Sequence, residues 1–440
     1  MQGSVRPGRA QQRSLRAAAL AAAVLCAAAQ TCPTTSDGVR NIVPGGSDDG
    51  VPGPELPDMT PRPMRTYGAV GSCAESAAEG FDGGEIVVAA TLPLHGPAST
   101  TSYAKIMRYT IEIFLDWLNL ERELPNGLTG GLMVGGKRYS MRFVWTGDGQ
   151  DGDEAAPAIA HGIRREDARF AWGGYGSTMS RMQARQTELD GVLMMASIAA
   201  APDIFAGRGL TFGALPPDYT YIQNAVRAVA AAAAAKVDVG EQLKVGLLYQ
   251  SPLDDMCAPI AALAQSLGMV VAQEGGWRTS NALPRNPDDG PVENVLNSMQ
   301  TLGVNFIVAC VYHDGGEAII EGLERLDYAP HAAAFTSTVD IGEYQRRVKD
   351  EGWWQGEYAL GVSPWHSALA HAGEFSGMTS ADYLQRFADR SGGQPSYHGP
   401  AAFSAACALA KAIEDADSLD ASAVAASLGS LEFQELGFHR

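Results

Sequence analysis

The chain has 440 residues, 46% of them hydrophobic and 8% aromatic, which is enough to bury one large core or two cores joined by a hinge. It carries 32 basic and 50 acidic residues, a formal net charge of −18, and no run of Lys or Arg in its body, so binding to nucleic acid or to anionic membranes is disfavoured. Beyond residue 29, no apolar run reaches the ~18 residues that a membrane-spanning helix needs.

Residues 1–29 have the profile of a secretory signal peptide. Residues 1–36 contain four Arg and no Asp or Glu, and the apolar segment 15–29 ends in three alanines. A basic start, a short apolar middle and small residues at the end favour export. The rival interpretation is an organellar transit peptide, which is also rich in Arg and poor in acids. We therefore expect an extracytoplasmic protein, with organellar targeting as the alternative.

Residues 30–82 are predicted to be a disordered linker, because they are rich in Pro, Gly, Ser and Asp and have no periodic apolar residues. Five Cys follow the predicted signal peptide, and none are in CxxC spacing. Cys32 and Cys73 flank the linker and are candidates for a disulfide in an oxidising compartment. Cys310 and Cys407 lie inside apolar runs, which is typical of small buried hydrophobic residues.

Strands and helices alternate from residue 83 onward. The run 86–92 has the length and composition of a strand that is buried on both faces. A helix is predicted next over 102–120, with Thr101 or Ser102 as its N-cap. The following elements are predicted as strands at 139–146, 170–172 and 192–196, and as helices at 153–166 and 180–189.

The alternation resumes after Pro216-Pro217. Strands are predicted at 244–249, 269–272 and 305–311, and helices at 218–236, 257–267, 292–302, 316–326, 381–389 and 397–417. This order indicates an α/β fold of βαβ units, with parallel sheets covered by helices on both faces. The Pro-Pro break divides the sheets into two lobes, predicted as lobe 1 at 83–216, lobe 2 at 217–358, and a return to lobe 1 at 359–440.

The sequence shows no familiar catalytic or metal-binding motif. Gly174-Tyr175-Gly176-Ser177 lacks the order of a nucleophile elbow, the third glycine of a dinucleotide site and the Gly-Lys-Ser/Thr of a phosphate loop. His366 and His371 are five residues apart, a spacing that does not put both on one helix face as metal ligands. We therefore expect no metal, no cofactor and no enzyme activity. An α/β enzyme with an unrecognised site remains the weaker alternative.

Four stretches, in the right order over roughly 85–432, resemble the branched-chain amino-acid-binding branch of the type I periplasmic-binding-protein family. They are the strand 86–94 with its turn at 95–98, the block 172–178 followed by 191–197, the segment 244–250, and the helix 397–417. The resemblance implies two lobes joined by hinge crossovers, with a small polar solute, such as an amino acid or an amide, in the cleft between them.

The resemblance leaves two roles open. One is a substrate-binding protein that works with a membrane transporter, and the other is the ligand-binding ectodomain of a membrane receptor with a downstream domain. The family pattern normally continues past the stretch 433–437 into a final strand. We therefore expect the end of this chain at Arg440 to be either a truncation or the border of an ectodomain.

In lobe 1 the resemblance places the ligand loop at Gly176, Ser177 and Thr178, where a helix is predicted to begin. Backbone N–H groups and hydroxyls at a helix N-terminus form a carboxylate site, although the same side chains could simply cap the helix. A second ligand segment maps onto Ala199 and the two alanines that follow. Relatives usually have a Thr or Ser hydroxyl there, so these alanines argue against an α-amino acid, while the Ala199 backbone stays available. Tyr103 is a candidate for stacking on the ligand.

In lobe 2 the candidates follow two predicted strands. Tyr312 and Asp314 come directly after the strand 305–311, so they are expected at the carboxyl end of the sheet, facing the cleft. The resemblance puts Asp340, after the next strand, where the family has the acid that binds an ammonium group. Ordinary turns after strands also favour Asp, so a purely structural role for both aspartates remains open.

Overall fold

The structure is a computed structural model. It describes residues 80–93, 98–146, 152–234, 242–250, 253–273, 276–279, 291–339, 342–356, 359–366, 368–432 and 434–439. The predicted signal peptide, most of the predicted linker with Cys32 and Cys73, and Asp340 lie outside these ranges. Within them, no helix combines the length and the apolar character needed to cross a membrane.

Lobe 1 is built on a six-stranded sheet in the order β2-β3-β1-β4-β5-β6. All neighbouring strands pair in parallel except β2 with β3. The strands are β1 (Gly84–Ala90), β2 (Leu132–Val134), β3 (Lys137–Trp145), β4 (Phe170–Trp172), β5 (Leu193–Ala196) and β6 (Thr211–Gly213). The helices between them are α1 (Ala98–Asp116), which continues into a π-helical turn (Trp117–Glu121), α2 (Gly152–Glu166), α3 (Ser177–Asp190) and a 3₁₀ turn (Pro202–Ile204).

Lobe 2 has a second parallel sheet in the order β12-β11-β10-β7-β8, and β9 also pairs with β7. The strands are β7 (Lys244–Gln250), β8 (Val270–Val271), β9 (Trp277–Thr279), β10 (Phe306–Cys310), β11 (Ala332–Phe335) and β12 (Ala359–Gly361). The helices are α4 (Tyr219–Ala234), α5 (Asp254–Cys257), α6 (Ile260–Ser266), α7 (Pro291–Thr301), α8 (His313–Arg325) and α9 (Gly342–Glu351).

The last part of the chain returns to lobe 1. It forms α10 (Ser380–Ser391), α11 (His398–Ala416), α12 (Ala421–Ser430) and a hairpin of β13 (Gln434–Glu435) and β14 (Phe438–His439). The Phe403 ring of α11 packs on Phe114 of α1 at 6.0 Å. Because β12 pairs with β11 and Val362 N–H donates to Phe335 O, the return begins a few residues after the predicted boundary at 359.

Each sheet separates two hydrophobic layers, because side chains alternate between the faces of a strand. In β10, Phe306 and Val308 pack in the layer formed with α4 and α6, while Ile307 and Ala309 pack in the layer formed with α7, α8 and α9. Lobe 1 has two layers of its own. Among the described residues, no cluster of buried hydrophobic side chains includes both lobes.

Four predicted helices begin at a clearly different residue or are divided. α3 begins at Ser177, three residues before the predicted start at 180. α1 begins at Ala98, so Thr101 and Ser102 lie inside the helix instead of capping it. The helix predicted over 257–267 is divided into α5 and α6 at Pro259, since proline interrupts helical hydrogen bonding.

α8 begins at His313, three residues before the predicted start at 316, so Asp314 lies in its first turn. The sequence does not indicate this start, because two adjacent glycines, Gly315 and Gly316, follow it and such pairs usually indicate a turn. The structure shows a packing reason for the second one. A Cβ at Gly316 would overlap the Thr338 side chain.

The prediction that Cys310 is an unpaired buried hydrophobic residue is wrong. It forms a disulfide with Cys257 across 53 residues of sequence, with a Cα–Cα distance of 6.0 Å. The sequence spacing gives no hint of this pair, because the two cysteines meet only when α5 packs beside β10. The prediction for Cys407 is confirmed, since this residue is free and buried.

Candidate ligand-binding site

The carboxyl ends of the two sheets face each other. Arg181 of α3 in lobe 1 lies near Tyr312 of lobe 2, where burial raises the pKa of the Tyr312 hydroxyl and the Arg181 charge acts in the opposite direction. On the return segment, Tyr397 lies near Tyr221 of α4. Burial raises the pKa of the Tyr221 hydroxyl, and the neighbouring Tyr397 raises it further. Ligands of parallel α/β sheets bind at the carboxyl ends of the strands, so this region is the candidate site.

On the lobe 1 side, residues 173–178 comprise the connection from β4 to α3 and the first two residues of α3, and we call them the glycine loop. Gly176 is the N-cap of α3, with φ +82° and ψ +162°, and no side chain caps the helix. Ser177 and Thr178 therefore lie within the first turn and do not act as side-chain caps. The Ser177 Oγ accepts a hydrogen bond from Ala201 N–H at 3.3 Å. This contact brings together the two segments that the sequence assigned to the ligand.

On the lobe 2 side, α8 begins directly after β10. Tyr312 is its N-cap, without a side-chain capping bond, and 38% of its surface is exposed. The Tyr312 N–H donates to Gln250 Oε1 at the end of β7, at 2.9 Å. Asp314 is half-buried in the first turn. Because helix N-termini carry partial positive charge, the start of α3, which has no acidic residue in its first turn, favours an anion. In α8 the Asp314 carboxylate opposes this effect.

Two fully buried hydroxyls lie next to these helix starts. Ser197 follows β5, beside the glycine loop, and Thr338 follows β11 and packs against Gly316 in the first turn of α8. Neither oxygen has a hydrogen-bond partner within the part of the chain that the structure describes. Buried polar groups without partners are rare and cost stability. One in each lobe, at the ends of strands, marks this region as a site for a polar ligand.

A stack of aromatic rings lies beneath the glycine loop. The Tyr103 ring stacks on Tyr175, with 5.0 Å between centroids and 11° between planes, and the His398 ring lies 4.1 Å from Tyr103 and 5.7 Å from Tyr175. His398 in turn stacks on Tyr397 at 4.0 Å. Burial lowers the pKa of His398 to about 3, so its ring is neutral at physiological pH. Tyr103 is only 4% exposed, whereas Tyr175 is partly exposed and covers it.

The predicted site residues differ in how much of each side chain is exposed to solvent. Thr178 is exposed beside Ser177, while the Ala199 side chain is fully buried in the core of lobe 1 and leaves only its backbone for contact. Asp340 lies outside the described residues. The sequence missed Tyr175, although its position directly before Gly176 was an available signal. Within the described ranges, no group of His, Cys, Asp and Glu is arranged to hold a metal ion.

The comparisons with known proteins agree with this architecture. A family model described as periplasmic binding protein matches residues 85–439. A leucine binding protein, LivK, from Thermotoga maritima MSB8 superposes with a TM-score of 0.59 at 17% identity, over 80% of this chain and 90% of that one. A solute binding protein of an ABC transporter from Rhodopseudomonas palustris BisB5, in complex with 3,4-dihydroxy benzoic acid, gives a TM-score of 0.60 at 12% identity, over 81% and 88%.

A third similar structure is the branched-chain amino acid transporter substrate binding protein LivJ from Streptococcus pneumoniae, in complex with isoleucine. It has a TM-score of 0.58 at 14% identity, over 81% of this chain and 91% of that one. At these low identities, the superpositions show a shared fold alone.

Two parallel α/β sheets with opposed carboxyl ends define a two-lobed binding protein. Since the family model extends over both lobes, the chain belongs to the type I periplasmic binding protein family. The fold class and the family resemblance that the sequence predicted are confirmed. Membership in this family implies an extracytoplasmic location.

Proposed function

We propose that the protein is a solute-binding protein that closes its two lobes around a small carboxylate. The observation that carries this proposal is the approach of α3 in lobe 1 to the N-cap of α8 in lobe 2, where Arg181 lies near Tyr312. The N-terminus of α3, which has no acidic residue in its first turn, suits a carboxylate in a chain whose net charge of −18 would otherwise repel it. The buried Ser197 and Thr338 hydroxyls support the same location.

The rest of the ligand is proposed to be apolar or aromatic. Ala199 and its two neighbours provide no hydroxyl for an ammonium group, and the partly exposed Tyr175 provides a ring that rests on neutral aromatic neighbours. Similar structures hold isoleucine or 3,4-dihydroxy benzoic acid, so both aliphatic and aromatic acids belong in a test. A membrane transporter is the proposed partner.

Export is proposed from two observations. The first 29 residues have the pattern of a signal peptide. The buried disulfide between Cys257 and Cys310 is typical of proteins that fold in oxidising compartments.

A thermal-shift screen tests the binding function. The purified chain is heated with leucine, isoleucine, benzoate and 4-hydroxybenzoate, and with benzamide as the matched compound that lacks the carboxylate. A ligand at 100 times its Kd stabilises the native state by about 2.7 kcal/mol, which raises Tm by a few degrees in a protein of this size.

At least one acid is expected to raise Tm, and benzamide is expected to leave it unchanged. A folded protein that responds to none of the acids would contradict the proposed function. An equal response to benzoate and benzamide would contradict the carboxylate assignment alone.

A further inference from the structure

The Gln183 side chain lies inside lobe 1, between the carboxyl ends of β1 and β4. Gln183 is fully buried, and Thr91, directly after β1, is 1% exposed. The Gln183 Oε1 accepts a hydrogen bond from Gly174 N–H at 2.6 Å, and its Nε2 donates to Thr91 Oγ1. One amide group therefore joins the segments that leave two neighbouring strands, and one of these segments is the glycine loop.

Ser180, one turn before Gln183 on the same side of α3, holds the same glycine from its carbonyl. It is fully buried, and its Oγ donates to Gly174 O at 3.1 Å. Gly174 has little room for a side chain, since a Cβ there would lie 3.2 Å from Gln183 Nε2 and 3.4 Å from Thr91 Oγ1. Both backbone groups of Gly174 are therefore fixed by the helix whose N-terminus faces the cleft.

We propose that Gln183 is a positioning residue of the ligand site, because it holds the glycine loop in the conformation that presents the α3 N-terminus to the ligand. This inference rests on the proposed function. Three of the first four loop residues are glycines, which have the largest conformational freedom to lose. Without the amide, the loop samples other conformations, and the apparent Kd rises in proportion as the competent fraction falls.

The test compares two matched substitutions on α3. Gln183→Leu removes both hydrogen bonds at similar volume. Gln186→Leu makes the same chemical change where, among the described residues, the side chain bonds to Asp190 at the surface. The full chain and both variants are titrated calorimetrically with leucine, isoleucine, benzoate and 4-hydroxybenzoate, well below their unfolding temperatures.

We expect Gln183→Leu to raise the Kd about tenfold, corresponding to a tenfold smaller competent fraction, and Gln186→Leu to leave it unchanged. Gln183→Glu serves as the rescue. At about pH 5 a buried carboxyl takes up a proton, so it keeps an acceptor for Gly174 and a hydroxyl for Thr91. Its affinity should therefore lie closer to that of the wild type than to that of Gln183→Leu.

The outcomes separate this inference from the proposed function. If the wild type binds an acid and Gln183→Leu binds it equally well, with only its Tm lowered, Gln183 merely supports the core and the inference is wrong. If the wild type binds none of the four acids, this result contradicts the proposed function, and the inference about Gln183 is judged by hydrogen exchange alone.

Hydrogen exchange of the ligand-free proteins then decides the positioning role. Peptides covering the glycine loop should exchange faster in Gln183→Leu than in the wild type or Gln186→Leu. Equal exchange in all three proteins would overturn the inference.

Discussion

Gly176 sets the direction in which the chain enters α3. Its backbone, with φ +82° and ψ +162°, lies in a region that is essentially restricted to glycine. A Cβ added at this position would meet no atom within 4 Å. The requirement for glycine is therefore conformational and does not come from crowding.

Replacing Gly176 with alanine should weaken ligand binding by changing the loop backbone. Holding a non-glycine residue in this region costs about 1–3 kcal/mol, so the variant relaxes to another conformation or loses that much stability. Urea unfolding and calorimetric titration with the acids of the panel measure the two effects.

Gly209 provides the matched control. It is exposed, a Cβ there would also meet no atom within 4 Å, and its φ is not positive. Gly209→Ala should leave binding unchanged and stability equal or slightly higher. Equal behaviour of the two alanine variants would refute the role given to the Gly176 backbone.

Single residues also show where the sequence was insufficient at the site. Residues 176–178 of the glycine loop and the alanine segment were both predicted from the family resemblance. Their contact through Ser177 and Ala201 could be anticipated from the shared sheet edge. The roles of Gln183 and Ser197 could not, because each depends on what packs around a buried polar atom, and Thr91 lies 92 residues from Gln183 in sequence.

Among the elements, the short helix α5 is held in place by a disulfide bond. It has four residues and ends at Cys257, which is joined to the last residue of β10. A helix this short has little stability of its own. The disulfide therefore fixes this part of lobe 2 beside the strand that leads to Tyr312.

Removing the disulfide with Cys257→Ala and Cys310→Ala should lower the free energy of unfolding by about 2–4 kcal/mol, mainly because the unfolded chain regains freedom. Urea unfolding with and without dithiothreitol measures this change. The wild type should lose stability in the reductant, and the double variant should not respond to it.

Cys407→Ala removes the free buried cysteine and serves as the control. It should remain as sensitive to reductant as the wild type. A wild-type unfolding midpoint that dithiothreitol does not change would contradict a stabilising disulfide.

The long, uniformly apolar strands were the elements that the sequence predicted best. β10 is buried at every residue. A continuous apolar run of this kind is recognisable in the sequence even though apolar and polar residues do not alternate in it. β2, β6, β9 and β12 have three residues each, too few to show a period, and they were missed. β4 is equally short but wholly apolar and buried, and it was predicted. The start of α8 was misplaced because Gly316 serves close packing against Thr338, a contact between elements that a local pattern does not contain.

At the scale of the whole molecule, each of the two lobes has its own hydrophobic core, and crossover segments of the chain join them. The first crossover runs from the end of β6 to α4, and Asp218 within it donates its N–H to Ala200 O at 3.0 Å. This hydrogen bond ties the crossover to the alanine segment of the site. Since no buried hydrophobic cluster of the described residues spans the lobes, hinge closure requires no core to be broken.

Hydrogen exchange followed by mass spectrometry tests the central claim, that one small acid is held between both lobes. The chain is compared with and without a saturating concentration of the acid that most raises Tm among leucine, isoleucine, benzoate and 4-hydroxybenzoate. We predict slower exchange in two peptides at once, one covering residues 173–178 of lobe 1 and one covering residues 311–316 of lobe 2. Protection confined to one lobe, or found away from both peptides, would contradict a ligand enclosed by the cleft.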